Sequence, residues 1–145
     1  MLAVIGLVAF LVAGSDDDAS GRQEALAFSE DFINVFTSYD YESFDETREA
    51  IEAASSQGFA SRYTSLLGGT GFVDALVENE SSATSEIQVG PLLATFTENE
   101  ARTFAIVNQQ ITGNQFEEPQ ATRLRVEVLM IRTPDGWVVV DVETT

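Results

Sequence analysis

The chain predicts an α+β fold, and three observations predict it. In the first half, apolar residues recur at three- and four-residue steps. From Ser82 the period drops to two. Near the end, Thr133-Pro134-Asp135-Gly136 is a hairpin turn, in which Pro presets φ and Gly accepts a positive one. Helices followed by an antiparallel meander imply a curved sheet of about four strands with helices packed on one face.

Met1 to Ala13 is uncharged, mostly apolar, and runs almost straight into Asp16, Asp17 and Asp18. As a helix it spans roughly 20 Å, short of the roughly 30 Å hydrocarbon core. Three readings stand: the outer part of a membrane anchor whose Lys- or Arg-bearing beginning precedes this sequence, a signal cut near Ala13-Gly14-Ser15, or an apolar element of a core. Val12-Ala13-Gly14-Ser15 is close to a lipoprotein box but has Ser where the lipidated Cys belongs. The expected division is an apolar anchor or signal over residues 1–14, an acidic linker over 15–21 and one domain over 22–145.

Ser20 and Gln23 have capping-box spacing ahead of the first helix. Ala25, Phe28, Phe32, Val35, Phe36 and Tyr39 form its apolar face. The chain breaks at Tyr39-Asp40-Tyr41. Ser43 and Glu46 make a second capping box, opening a helix through about Ser55 with Phe44, Ile51 and Ala54 facing inward. Gly58 interrupts. A third short helix carries Phe59, Tyr63, Leu66 and Leu67 until Gly68, Gly69 and Gly71 break it, and Phe72 to Asn79 adds a turn or two. The first strand holds Ile87 and Val89, extends to Leu93 as a further candidate, and is bent or bulged around Gly90-Pro91. Glu98-Asn99-Glu100 is a turn. In the second strand Phe104 and Ile106 alternate with Thr103, Ala105, Val107 and Gln109. Gly113 to Gln120 is a loop. Leu124, Val126, Val128 and Met130 share one face of the third strand, and Arg123, Arg125 and Glu127 the other. Trp137 to Val142 returns as the last strand.

The 145 residues contain neither Cys nor His, which removes disulfides, thiolate chemistry, the commonest metal ligand and any Ser-His-Asp triad. No metal or cofactor is expected. All seven basic residues are Arg, against 24 acidic ones, for a formal charge of −17. So acidic a surface repels nucleic acid and anionic head groups, which confines membrane contact to the apolar N-terminus. Asp16 to Asp18 lack the glycine turn and distal Glu of a calcium loop, and read as a solvated spacer.

Certain residues together resemble a known family. They are Thr37-Ser38-Tyr39-Asp40-Tyr41, Phe44-Asp45, Gly58-Phe59, Arg62-Tyr63 and the closing Thr133-Pro134-Asp135-Gly136-Trp137-Val138-Val139-Val140-Asp141-Val142. From about Ala25 onward the chain resembles the Mce-associated membrane proteins of actinobacteria. The resemblance implies a cone-shaped, nuclear-transport-factor-2-like (cystatin-like) domain, extracytoplasmic, on a single-pass membrane anchor. It also implies an accessory role in envelope lipid or sterol import, with other envelope subunits, and self-association, as partners. VirB-type assembly factors of type IV secretion share this fold class.

The candidate pocket or partner contacts are Tyr39, Asp40, Tyr41, Arg62, Tyr63 and Trp137. Tyr39, Asp40 and Tyr41 suit hydrogen bonding at a cone mouth, since isomerases of this fold use such residues in an apolar pocket. The simpler reading has Asp40 capping the next helix and the rings packing beside it. Arg62 suits either a carboxylate ligand or a surface ion pair, and Trp137 either a pocket wall or the anchor of the last hairpin. The expected function is a noncatalytic, membrane-anchored subunit of an Mce-type lipid transporter. The alternatives are a VirB-like scaffold of a secretion or conjugation apparatus and, third, a small-ligand binder or enzyme using Asp40 with Tyr39 or Tyr41.

Overall fold

The structure, a computed structural model, describes residues 16–145. Helix α1 (Asp16–Thr37) is followed by β1 (Tyr39–Asp40), α2 (Phe44–Ala53), α3 (Gln57–Thr70) and α4 (Phe72–Glu78). Then come β2 (Ser82–Phe96), β3 (Glu100–Thr112), β4 (Gln120–Thr133) and β5 (Gly136–Thr144). The strands form one antiparallel sheet in the order β1-β2-β3-β4-β5. It curls as a half-barrel around the helices, a nuclear-transport-factor-2-like architecture.

Period-two alternation decides which face is concave. Ala101, Thr103, Ala105 and Val107 of β3, Val126, Val128 and Met130 of β4, and Val139 of β5 are all fully buried. Each large apolar side chain so buried contributes about 1.5–3 kcal/mol. Phe104, Ile106, Arg123, Arg125 and Glu127 lie on the convex face, where Arg125 stacks 5.2 Å from the Phe104 ring centre and Arg102 pairs with Glu127 at 3.3 Å. The expected two-faced split of β4 therefore holds.

Helix α1 fills the trough with Ala25, Ser29, Phe32, Ile33 and Thr37, while Phe28, Val35 and Phe36 pack at its margins. Two of these buried residues are polar, and both are bonded. The Ser29 hydroxyl meets that of Thr103 on β3. Thr37 Oγ1 donates to Ile33 O at 2.7 Å and lies 2.8 Å from Ser85 Oγ, and Gln109 Nε2 donates to Thr37 O at 2.8 Å. A buried hydroxyl without such a partner costs about 1–3 kcal/mol, so these contacts set where α1 rests on the sheet.

Several expectations are corrected. The sheet has five strands, not four, because Tyr39 and Asp40 pair with Ala83 and Ser82. Two residues are too few to show a period, so β1 reads in the sequence only as a break. Asp16–Gly21 is helical and not a linker, and Ser20 is interior to α1 and not its cap. The Ser43 side chain does not cap α2; its carbonyl accepts from Glu46 N at 3.1 Å instead. Gly58 lies inside the first turn of α3, whose cap is Ser56, accepting from Phe59 N at 3.1 Å. The break falls at Ala54–Ser56, where Val139 N donates to Ala54 O and Ser56 N to Val139 O. Helix α3 runs through Gly68 and Gly69 and stops only at Gly71, in the left-handed region with φ 68°. The bend at Gly90-Pro91 is present, with register shifts on both sides and a cis peptide between the two residues.

Among the described residues no helix is long and apolar enough to cross a membrane. The anchor or signal expected over residues 1–14 lies outside the described residues.

Candidate functional site

Between its helices the domain leaves a cleft of about 440 Å³. Its walls follow from local sequence. The last turn of α1 supplies Phe36. The extended pair Tyr39–Asp40 then turns the chain so that Tyr39 meets Phe44, the first residue of α2. On α3, Tyr63, Leu66, Leu67 and Thr70 fall at three- and four-residue steps and so share one face. The left-handed Gly71 reverses the chain and brings in Phe72. Thr47 completes the lining.

Five aromatic rings therefore face this space. Tyr39, Phe44 and Phe72 form a mutual edge-to-face triad with centroids 6.3, 5.8 and 5.7 Å apart. Phe36 and Tyr63 are tilted at 6.4 Å. Such pairs are worth about 0.5–1.5 kcal/mol beyond burial, so the triad also clamps β1, α2 and α4 together. Leu66 is 62% exposed at the rim, an uncovered apolar residue next to an apolar hollow. A smaller cleft of about 260 Å³ adjoins it through Leu67 and contains Arg48 and Asp74.

Burial pushes the Tyr63 hydroxyl up to about 12, with the nearby Glu52 carboxylate adding to the rise and Arg48 opposing it. Burial also raises Tyr39. Both phenols are thus neutral donors at ordinary pH. The lining offers ring faces, methyl groups and hydroxyls. It presents neither a carboxylate nor a guanidinium. Such a surface suits binding, by burial and ring contact, better than proton transfer.

Of the six residues singled out in the sequence, the cleft brings together Tyr39 and Tyr63 and leaves out the other four. Asp40 is exposed at the surface. Its carboxylate accepts from Glu42 N at 2.8 Å and Ser82 Oγ at 3.1 Å, and its carbonyl accepts from Ser43 N at 3.1 Å. It shapes the turn leading into α2 instead of capping the helix. Tyr41 donates to Glu42 at 3.1 Å, and that bond is the main cause of its raised pKa. Arg62 is held on the β5 edge, donating to Val140 O at 2.8 Å, 3.9 Å from Asp141 and 5.6 Å from the Phe59 ring centre. Trp137 is buried beside Phe96 at 6.3 Å, under Arg132 at 4.9 Å, as a hairpin anchor. Among the described residues its indole nitrogen has no hydrogen-bond partner.

In the sequence Phe36 reads as part of a helix's apolar face, Phe44 as an inward-facing residue, Leu66 and Leu67 as residues of a short helix, and Phe72 as the start of another. The one signal that unites them is the left-handed turn at Gly71, because it folds α4 back onto Tyr39.

No family model matches the chain, and no curated protein does. Solved structures do. An IcmL-like type IV secretion system protein from Legionella pneumophila superposes with a TM-score of 0.73 at 16% identity, over 86% of this chain and 91% of that one. The periplasmic domain of DotI gives 0.70 at 11% identity, over 83% and 92%. VirB8 of Agrobacterium tumefaciens gives 0.62 at 13%, over 82% and 88%. At such identities the likeness establishes a shared fold, over more than four fifths of both chains in each case.

Proposed function

We propose that this protein is a noncatalytic scaffold subunit of an envelope secretion or conjugation apparatus, of the VirB-like kind. In this reading the domain works on the extracytoplasmic side of a membrane, the N-terminal apolar segment holds it there, and its partners are other envelope subunits and its own copies. The observation that carries it is the match to three secretion-system structures, over 82–86% of this chain and 88–92% of theirs. The same likeness gives the Mce resemblance no support, so lipid import yields first place to secretion. A noncatalytic role fits a cleft lined by rings, Leu and Thr, with Asp40 turned away from it.

The test is purification of the tagged full-length protein from detergent-solubilised membranes, with its companions identified by mass spectrometry. Secretion ATPase and coupling subunits are the expected companions. Lipid-importer subunits in their place, or a protein recovered wholly from the soluble cytosol, would overturn the proposal.

A further inference from the structure

We infer that the aromatic cleft is a binding site for an apolar organic cation, a substituted ammonium carrying a ring or short hydrocarbon arm. This inference goes beyond the secretion reading and does not depend on it.

Ring faces carry negative charge in their quadrupole and attract cations, and aromatic cages are a known means of holding quaternary ammonium groups. Elsewhere this chain already uses that chemistry. Arg22 stacks on Phe96 at 5.1 Å, Arg62 on Phe59 at 5.6 Å, Arg125 on Phe104 at 5.2 Å and Arg132 on Trp137 at 4.9 Å. Four of the seven cations of the chain are so placed. Among the described residues none stacks on Phe36, Tyr39, Phe44, Tyr63 or Phe72. Phe36 has one face stacked on Phe32 and Tyr63 one face stacked on Phe59, and among the described residues no guanidinium takes up the faces that remain.

Charge complementarity selects a cation over an anion. Arg48 lines the adjoining smaller cleft and is bracketed by Asp45 at 3.3 Å and Glu52 at 3.9 Å. That corner carries two carboxylates against one guanidinium. The chain as a whole stands at −17, so its field draws cations in and keeps carboxylate ligands out. Size and lining set the rest of the ligand. About 440 Å³ lies within the roughly 300–1,000 Å³ of small-molecule sites, and Leu66 and Leu67 offer the hydrocarbon arm an apolar wall.

The experiment is a titration of the full-length protein with benzyldimethyl(hydroxyethyl)ammonium, followed through the methyl resonances of Leu66 and Leu67. Two comparison probes are the neutral alcohol with carbon in place of the nitrogen, and phenylbutanoate. The cation is expected to bind about 2- to 30-fold more tightly than its carbon isostere, the ratio that a cation–ring attraction of about 0.5–2 kcal/mol gives. Phenylbutanoate is expected to bind most weakly. Phe44→Leu and Phe72→Leu keep apolar bulk but remove ring faces, and each should bring the cation-to-isostere ratio toward unity. Should either variant fail to fold, Leu66→Ala at the exposed rim supplies a second readout, weakening both probes alike. An isostere that binds as tightly as the cation, resonance shifts confined to residues outside the cleft, or no binding of the cation at millimolar concentration would each overturn the inference.

Discussion

Ser29 and Thr37 show how much one hydroxyl decides in this fold. Both are buried on the inward face of α1, Ser29 within the helix and Thr37 at its last residue, where an apolar residue would be the ordinary choice. Ser29→Ala should destabilise the domain by about 1–3 kcal/mol, because it strands the Thr103 hydroxyl in the core. Adding Thr103→Val should restore most of that loss. Urea denaturation of the single and double variants checks both outcomes. These two residues were not legible as core, since a pattern reading counts only apolar positions. Their apolar neighbours Ala25, Phe28, Phe32 and Phe36 were. Tyr63 makes a second prediction at this scale. Its folded pKa is raised above its unfolded value of 10.0, to about 12, so the neutral phenol favours the folded state. That contribution is fully present below pH 10 and is lost as pH rises from about 10 to about 12. Stability measured by denaturation should fall across this window, and Tyr63→Phe should flatten the fall.

At the scale of elements, the caps and the bend can be tested separately. Ser56 and Ser43 both stand one residue before a helix, but only the Ser56 side chain accepts a backbone N–H. Ser56→Ala should cost about 0.5–2 kcal/mol and Ser43→Ala far less, compared by thermal unfolding. Both serines look alike in the sequence, and the capping-box spacing favours the wrong one. The order of helices and strands was legible because the period changes cleanly at Ser82. The two-residue β1 was not, nor was the continuation of α3 through Gly68 and Gly69, where the neighbouring turns hold a poor helix former in place. Gly90 is different, because its role was visible as a strand bend. It has φ +87°, and a Cβ there would lie 2.8 Å from Phe104 O and 2.9 Å from Leu92 N. Gly90→Ala should therefore destabilise by more than about 1 kcal/mol, through both strain and collision with the neighbouring strand.

For the whole molecule, charge and fold make different claims. Self-repulsion at −17 opposes the compact state and is screened by salt. Between 0.01 and 0.15 M salt the screening length falls from about 30 to about 8 Å, so Tm should rise with ionic strength over that range. Calorimetry at fixed pH measures it. Composition and alternation made the α+β class and the two faces of β4 readable. The cleft was only half readable, since Tyr39 and Tyr63 are 24 positions apart in the chain and Phe72 joins them only after the turn at Gly71. Function is a further step, because one fold serves many roles. The central claim is that this domain serves a secretion apparatus. Its most direct test is a clean deletion of the gene, with substrate secretion and lipid uptake measured in the same strain. The account predicts lost secretion, restored by the wild-type gene, with lipid uptake unchanged; intact secretion with impaired lipid uptake would contradict it.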